Sequence, residues 1–366
     1  MAETVIEWVH TPDGEVGYTH NPWIGCEHIS LACDNCYAEV DAPARVLRAK
    51  GMETWGPHAS RYRTSDANLK QPGRWNRKAG TLGKRLRVFC ASQSDWLDNK
   101  VPVRWLVDLL EVIRQTPNLD WLMLTKRIGI WRTRLEEACS LASSIGLTDL
   151  ATWISDWLAG KAPDHVWLGA TVVNQVEVDR DVKKLLRTPA TRRFLSMEPL
   201  LGPVSFEGLF ANFSNPADGT NALEALDWVI VGGESGPNAR PMHPDWVRSL
   251  RDQCDAVDVP FLFKQWGAWL PINQQDEAFT NRLYVSNRKA RLHQDQGVLD
   301  DIYGRRCTVP FAVVHADGSV HEPMEPLAFL AGTGAMTTFK VDKKAAGRLL
   351  DGRLHDASPQ PQLLTA

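Results

Sequence analysis

Short apolar runs recur along the chain, and each is followed by turn-forming or polar residues and then by an amphipathic stretch. Runs that are apolar throughout, rather than alternating with polar residues, are typical of strands buried on both faces of a parallel sheet. The pattern predicts six such strands, at residues 87–91, 121–125, 166–171, 193–197, 228–232 and 261–264.

The amphipathic stretches between these runs carry the helical repeat, and they predict helices at 37–49, 103–114, 131–141, 175–186 and 244–256. A strand followed by a helix, repeated, forms βαβ units with right-handed crossovers. We therefore predict an α/β fold: a full or partial (β/α) barrel of the TIM type with mainly parallel strands over residues 1–270. A basic insertion at 57–87 interrupts it. Residues 271–366 are expected to form an irregular C-terminal extension that ends in a basic helix.

Composition fits a globular protein of 366 residues, 43% of them hydrophobic and 23% charged. The mean hydropathy of −0.28 excludes a disordered chain. No apolar run approaches the roughly 20 residues of a membrane span, and residues 1–11 do not have the pattern of a signal peptide. We expect a soluble, cytoplasmic protein with no membrane partner. The net charge of −3 excludes a uniformly basic nucleic-acid coat, but not a local basic patch.

Seven cysteines are an odd number and few for this length, which argues against a disulfide scaffold. Three of them, Cys26, Cys33 and Cys36, are spaced C-x6-C-x2-C between a predicted first strand and a helix. Three thiolates on one loop can hold three corners of a cubane iron–sulfur cluster and leave one iron open to a substrate or cofactor. A zinc site with His28 or His20 as the fourth ligand is the alternative, and three free thiols are the third possibility.

Polar residues stand where the predicted strands end. The chemistry of (β/α) barrels lies at the carboxyl ends of the strands, so these residues predict one shared site. They are Ser92, Ser94, Asp95, Asp98, Thr125, Lys126, Thr171, Asn174, Ser196, Glu198, Gly232, Gly233, Glu234 and Lys264.

Several motifs in one order resemble the radical S-adenosylmethionine (radical SAM) superfamily. More closely, they are similar to phage and prophage proteins of unknown function that carry a three-cysteine motif. The resemblance covers nearly the whole chain except 271–336. The matching stretches are 21–26 (NPWIGC), 33–39 (CDNCYAE), 88–95 (VFCASQSD), 124–127 (LTKR), 194–203 (FLSMEPLLGP), 229–236 (VIVGGESG), 263–267 (FKQWG) and the ending at 343–353.

By this resemblance, Cys26, Cys33 and Cys36 would hold a [4Fe–4S] cluster, and SAM would chelate the open iron. An electron from an external donor would cleave SAM to methionine and a 5′-deoxyadenosyl radical, which abstracts hydrogen from a substrate. The location would be the host cytoplasm if the protein is phage-encoded. The cofactor-binding residues implied are Tyr37, Ser92, Ser94, Asp95, Thr125, Lys126, Thr171, Asn174, Ser196, Glu198, Gly232 and Gly233.

The candidate catalytic residues are Glu234, Lys264 and Asp98. Lys264 would act as an acid, an anion clamp or a neighbour of a hydrogen donor, or else form a structural ion pair with Glu198 or Glu234. The superfamily usually carries its Gly-Gly-Glu triplet after the second strand, whereas here the triplet follows the sixth, so Glu234 is expected to face the substrate.

The cysteine motif departs from the superfamily pattern in two ways. The commonest spacing is C-x3-C-x2-C, and the first gap is longer here. The superfamily also places an aromatic residue directly before the last cysteine. In this chain Asn35 holds that place and the aromatic, Tyr37, comes after it.

Nine basic residues against one acid between 57 and 87, the Arg61–Arg87 stretch, suggest contacts to nucleic-acid phosphates, with Tyr62 or Trp75 stacking on bases. A solvated loop is the simpler interpretation. If the patch is real, the substrate would be a nucleobase in DNA or RNA, flipped out for modification or repair. Two other functions remain open: a zinc-stapled nucleic-acid-binding module, and a barrel hydrolase that uses Glu198, Glu234 and Asp95.

Overall fold

The computed structural model describes residues 3–211 and 219–360. The strands are β1 (Tyr18–His20), β2 (Trp23–Ile24), β3 (Tyr62–Arg63), β4 (Leu86–Cys90), β5 (Leu119–Thr125), β6 (Val166–Thr171), β7 (Arg192–Met197), β8 (Trp228–Gly232), β9 (Phe261–Gln265), β10 (Trp269–Pro271), β11 (Tyr284–Ser286), β12 (Arg305–Cys307), β13 (Phe311–Val314), β14 (Val320–His321) and β15 (Met336–Lys340). The helices are α1 (Tyr37–Val40), α2 (Ala42–Ala49), α3 (Asp66–Leu69), α4 (Gln71–Leu82), α5 (Val103–Arg114), α6 (Trp131–Ser144), α7 (Thr148–Leu158), α8 (Gln175–Arg187), α9 (Pro244–Ala256), α10 (Glu277–Arg282), α11 (Gln296–Tyr303) and α12 (Lys343–Ala346).

Seven strands form one parallel sheet in the order β1-β4-β5-β6-β7-β8-β9. Strands β4, β6 and β8 are buried at every position, as apolar runs covered on both faces require. The sheet ends at β1 on one side and β9 on the other. The predicted fold class is therefore confirmed, in the form of a partial barrel.

Helices cover the outside of this sheet. Helix α5 buries Leu106, Leu109, Leu110 and Ile113, which lie at helical spacing on one face. Predicted and observed bounds agree at both ends for α5 and α9. The apolar periodicity is unbroken in both segments, and a proline near the first turn marks where each helix begins.

Three segments differ from the sequence prediction. The helix predicted at 37–49 is two helices, because the Asp41 side chain accepts a hydrogen bond from the Ala42 amide (2.8 Å) and starts a new one. Helix α7 was missed. The basic insertion is not an open loop, since α3, α4 and β3 lie in it.

The inside of the curved sheet is filled by aromatic side chains around Trp8. This residue lies in a 3-10 turn at Glu7–Val9, and its ring centroid is 4.7 Å from that of Phe89 and 6.2 Å from that of Trp228. The Arg87 guanidinium lies 5.1 Å from the rings of both Trp167 and Trp228. The N-terminal segment thus closes the barrel interior from one end and leaves space at the carboxyl ends of the strands.

The C-terminal part carries a four-stranded antiparallel sheet in the order β10-β15-β13-β14 and a hairpin of β11 with β12. It is therefore less irregular than predicted. The expected basic helix is only the four-residue α12. The domain boundary at residue 270 stays a prediction. Across the described residues, no helix combines the length and apolar character that crossing a membrane requires.

Candidate functional site

A cavity of about 470 Å³ lies at the carboxyl ends of the parallel strands, with Ile6 and Trp8 among its lining residues. Its volume is within the range of small-molecule sites. The predicted residues that line it are Cys26, Cys33, Cys36, Tyr37, Ser92, Ser94, Asp95, Thr125, Lys126, Thr171, Ser196, Glu198, Gly233, Glu234 and Lys264. One cavity therefore collects side chains that lie more than 200 residues apart in the sequence.

Three predicted residues do not line this cavity. Asp98 is fully buried, and its carboxylate accepts a 2.6 Å hydrogen bond from Arg61, which argues against the catalytic role expected for it. Asn174 caps α8 by accepting from the Glu177 amide at 3.0 Å. Gly232 lies beneath Glu198, where a β-carbon would come within 2.9 Å of the carboxylate. These residues support the site rather than form its surface.

The three cysteines differ in their surroundings. Arg127 donates to the Cys26 sulfur at 3.4 Å. Burial raises the pKa of the Cys26 thiol to about 11, and the charge of Arg127 opposes that shift. Burial also raises the pKa of Cys36, while Lys126 and the backbone amides of α1 lower it. Cations and N–H donors therefore face two of the sulfurs, as bound thiolates require.

Within residues 3–211 and 219–360, no three His, Cys, Asp or Glu side chains gather around a point where one metal ion would sit. Zinc needs its ligands within about 2.0–2.3 Å of one ion. A cubane cluster does not need its ligands around a single ion, because each thiolate binds a different iron, so three cysteines that line one cavity are compatible with it.

The two histidines proposed as a fourth zinc ligand differ in position, since His28 lines the cavity and His20 does not. His20 is buried in the core, where its ring packs edge-on against Trp75 and Trp121. His28 pairs with Glu39 at 3.0 Å. The zinc alternative therefore loses His20 and keeps His28, which lines the cavity and is already paired with Glu39.

Asp95 lines the cavity near Cys26, and Arg127 contacts both residues. The Asp95 carboxylate accepts from the Thr125 hydroxyl (2.7 Å) and the Lys126 amide (2.9 Å), and it lies 3.2 Å from Arg127. Asp95 thus fixes the end of β5 and orients the guanidinium toward the sulfur. The sequence analysis did not select Arg127, although the residue ends one of the quoted motifs.

Glu198 and Lys264 form an ion pair of 2.9 Å on the cavity wall. The Ser196 hydroxyl donates to Glu198 at 3.3 Å. Of the roles open to Lys264, the ion pair with Glu198 is the one that the structure contains.

Glu234 is engaged by Arg240 at 2.7 Å, a residue that the sequence analysis missed. Its side chain is 4% exposed. The hydrolase alternative uses Asp95, Glu198 and Glu234, and each of these three carboxylates is paired with a cation. The structure gives no support to that alternative.

Tyr37 and Ser92 meet at the start of α1. The Tyr37 hydroxyl donates to the Ser92 carbonyl at 2.8 Å, and the tyrosine remains half exposed. The Ser92 hydroxyl is held by the Asn21 amide at 3.0 Å. The aromatic residue that follows the last cysteine therefore lines the cavity beside the end of β4.

Three of the nine basic residues of this stretch are used inside the protein, and four are exposed. Arg61, Arg85 and Arg87 are buried. Trp75 is also buried and stacks on Tyr18 with ring centroids 4.5 Å apart, so the expectation that it would stack on bases is wrong. A nucleic-acid partner stays a prediction.

A sequence model of the family described as "Protein of unknown function (DUF5131)" matches residues 3–359. Among curated proteins no match was found. Among solved structures, the chain is similar to a mutant spore photoproduct lyase with bound AdoMet and dinucleoside spore photoproduct, at 13% identity and a TM-score of 0.34. The similarity covers 77% of this chain and 68% of that chain. A TM-score at this level does not establish a shared fold.

Proposed function

The chain belongs to the DUF5131 family of proteins of unknown function, and from its cavity we propose that it is a radical SAM-type enzyme with a [4Fe–4S] cluster. The observation that carries this proposal is that Cys26, Cys33 and Cys36 line the same cavity as the polar ends of the parallel strands. Residues that could bind a cluster and a small polar cofactor therefore share one cavity, which supports the proposal.

The three cysteines would bind three irons, and Arg127 would stabilise the Cys26 thiolate through its 3.4 Å contact. Bound there, the cluster would supply the electron for reductive cleavage of SAM, with an external protein or chemical reductant as the donor. The buried aromatic side chains of Trp8 and Phe89 line the inner end of the cavity and exclude bulk water from it.

SAM would lie against the wall that contains Tyr37, Ser92 and Lys126. The Lys126 ammonium has no ion-pair or hydrogen-bond partner among the described residues, so it is available to a carboxylate. Tyr37 offers a half-exposed aromatic ring to a base. The Glu198–Lys264 pair would then face the substrate.

Anaerobic reconstitution of the full chain tests the proposal. We expect a brown protein with about four irons per chain, and 5′-deoxyadenosine formed from SAM in the presence of dithionite. Cys33→Ala should lose both. Cys254→Ala is the matched control, since Cys254 is buried in α9 and does not line the cavity.

Two results would overturn this assignment. One is a colourless protein with about one tightly bound zinc per chain. The other is a Cys33→Ala variant that keeps the iron and still cleaves SAM.

A further inference from the structure

The two residues between Cys33 and Cys36 are held by the loop that follows β8. The Asp34 carboxylate accepts from the Arg240 guanidinium at 3.0 Å. The Asn35 amide donates to the Glu234 carboxylate and to the Asn238 carbonyl, each at 3.0 Å. This stretch of the cysteine loop is therefore tied to one distant segment through both of its side chains.

Arg240 is the centre of this arrangement. Its side chain donates to the two oxygens of Glu234 at 2.7 and 2.9 Å, and its backbone amide donates to the same carboxylate at 2.8 Å. It also donates to the Leu31 carbonyl at 2.7 Å. A planar guanidinium can make these bonds together, whereas an ammonium cannot reproduce the geometry.

The loop after β8 is itself fixed to β9. Gly233 donates to the Gln265 carbonyl at 2.9 Å, and the Ala268 amide donates to the Glu234 carbonyl at 2.8 Å. The backbones pass so closely that a β-carbon on Gly233 would lie 2.0 Å from the Trp266 oxygen. Glu234 is therefore a rigid base for Arg240.

The far end of the same loop is held by the C-terminal sheet. The Trp269 indole of β10 donates to the Ala239 carbonyl at 2.6 Å. Lys340 of β15 donates to the Pro237 carbonyl. The C-terminal sheet thereby contacts the loop that carries Arg240.

We propose that Arg240 is a positioning residue that holds the Cys33–Cys36 segment in its cluster-binding conformation, and that strands β10 and β15 brace it. Asp34, Asn35, Glu234, Asn238 and Arg240 together form what we call the Arg240 clamp. The role of the clamp in cluster binding rests on the proposed function. Its effect on the cysteine loop can be tested without a cluster.

The first test uses the apo-protein of the full chain and measures alkylation of Cys33 by iodoacetamide, read by peptide mass spectrometry. Cys33 is 6% exposed, so it should react slowly in the wild type. Arg240→Ala should speed the reaction about tenfold or more, because charge-assisted hydrogen bonds that resist local opening are lost. Arg240→Lys should restore the slow alkylation of Cys33 only in part.

Arg248→Ala is the matched control. Arg248 lies in α9 and pairs with Asp245 at 2.7 Å and Asp351 at 2.5 Å. The Arg248→Ala variant therefore also loses two ion pairs, but none of them involves the cysteine loop. If Arg240→Ala does not fold, Asp34→Asn replaces it. Asp34 is 47% exposed, and the variant should give about a threefold increase. Trp269→Phe should also speed the alkylation of Cys33, because it removes the hydrogen bond from the Trp269 indole to the Ala239 carbonyl.

The second test measures iron per chain after reconstitution. Arg240→Ala should bind less than about half the wild-type iron, measured at a temperature at which both Arg240→Ala and Arg248→Ala are fully folded. Unchanged Cys33 alkylation in the variants that fold would overturn the clamp. A wild type that takes up no iron, with Cys33 still more reactive in Arg240→Ala, would overturn the proposed function and leave the clamp in place.

Discussion

The ends of strands β7 and β8 are neighbours in the sheet, and each is followed by a glutamate. Glu198 comes one residue after β7, and its cation is Lys264 of β9, across the cavity wall. Glu234 comes two residues after β8, and its cation is Arg240 of its own loop, which reaches on to the cysteine loop. Two glutamates at similar positions in the sheet therefore have different roles, because they pair with different cations.

The difference also lies in burial and donor geometry. The side chains of Glu198 and Lys264 are 14% and 19% exposed, and both line the cavity. Glu234 is more deeply buried and receives three hydrogen bonds from Arg240. The pair of Glu198 with Lys264 can therefore respond to a bound molecule, while Glu234 is committed to holding structure.

The largest effect in this comparison is expected for Glu234→Ala. Removing the buried carboxylate leaves Arg240 without its main acceptor, so we expect the free energy of unfolding to fall by about 2 kcal/mol. Urea unfolding measures this loss. Glu136→Ala on α6 removes an exposed pair with Arg132 and should change stability by less than about 0.5 kcal/mol. If Glu234→Ala and Glu136→Ala were equally stable, the structural role assigned to the buried Glu234 would be contradicted.

A smaller effect is expected for the pair that faces the cavity. Lys264→Met and Glu198→Gln should each lower stability by about 1 kcal/mol and leave iron uptake unchanged. The double variant isolates their coupling, which should be about 1 kcal/mol. If Glu198→Gln lost iron as Arg240→Ala does, the division of labour between the two glutamates would be refuted.

The smallest effect is expected for Ser196→Ala. The hydroxyl donates to Glu198 at 3.3 Å, which is long for an O–H donor, so its removal should cost less than about 0.5 kcal/mol. Urea unfolding of this variant beside Glu198→Gln shows whether the serine orients the carboxylate. A loss as large as that of Glu198→Gln would mean that Ser196 is the main support of the ion pair.

Much of the fold could be predicted because its signals are local. The apolar runs at β4, β6 and β8 and the periodic faces of α5 and α9 lie within single elements. The break at Asp41 depended on a capping bond, a weaker local signal that the helical periodicity of the segment concealed. The C-terminal sheet was missed because its strands are short and mix buried positions with half-exposed and exposed ones.

The primary sequence determined which residues end the parallel strands, and parallel strands place those ends along one edge. That is why the three cysteines and most of the polar strand ends share a cavity. The tertiary structure alone decided which charges meet there. Asp98 pairs with Arg61 away from the cavity, whereas Glu198 and Glu234 both line it and pair with Lys264 and Arg240. Periodicity reports the face on which a residue lies, but the role of a charged side chain depends on partners that only folding brings near.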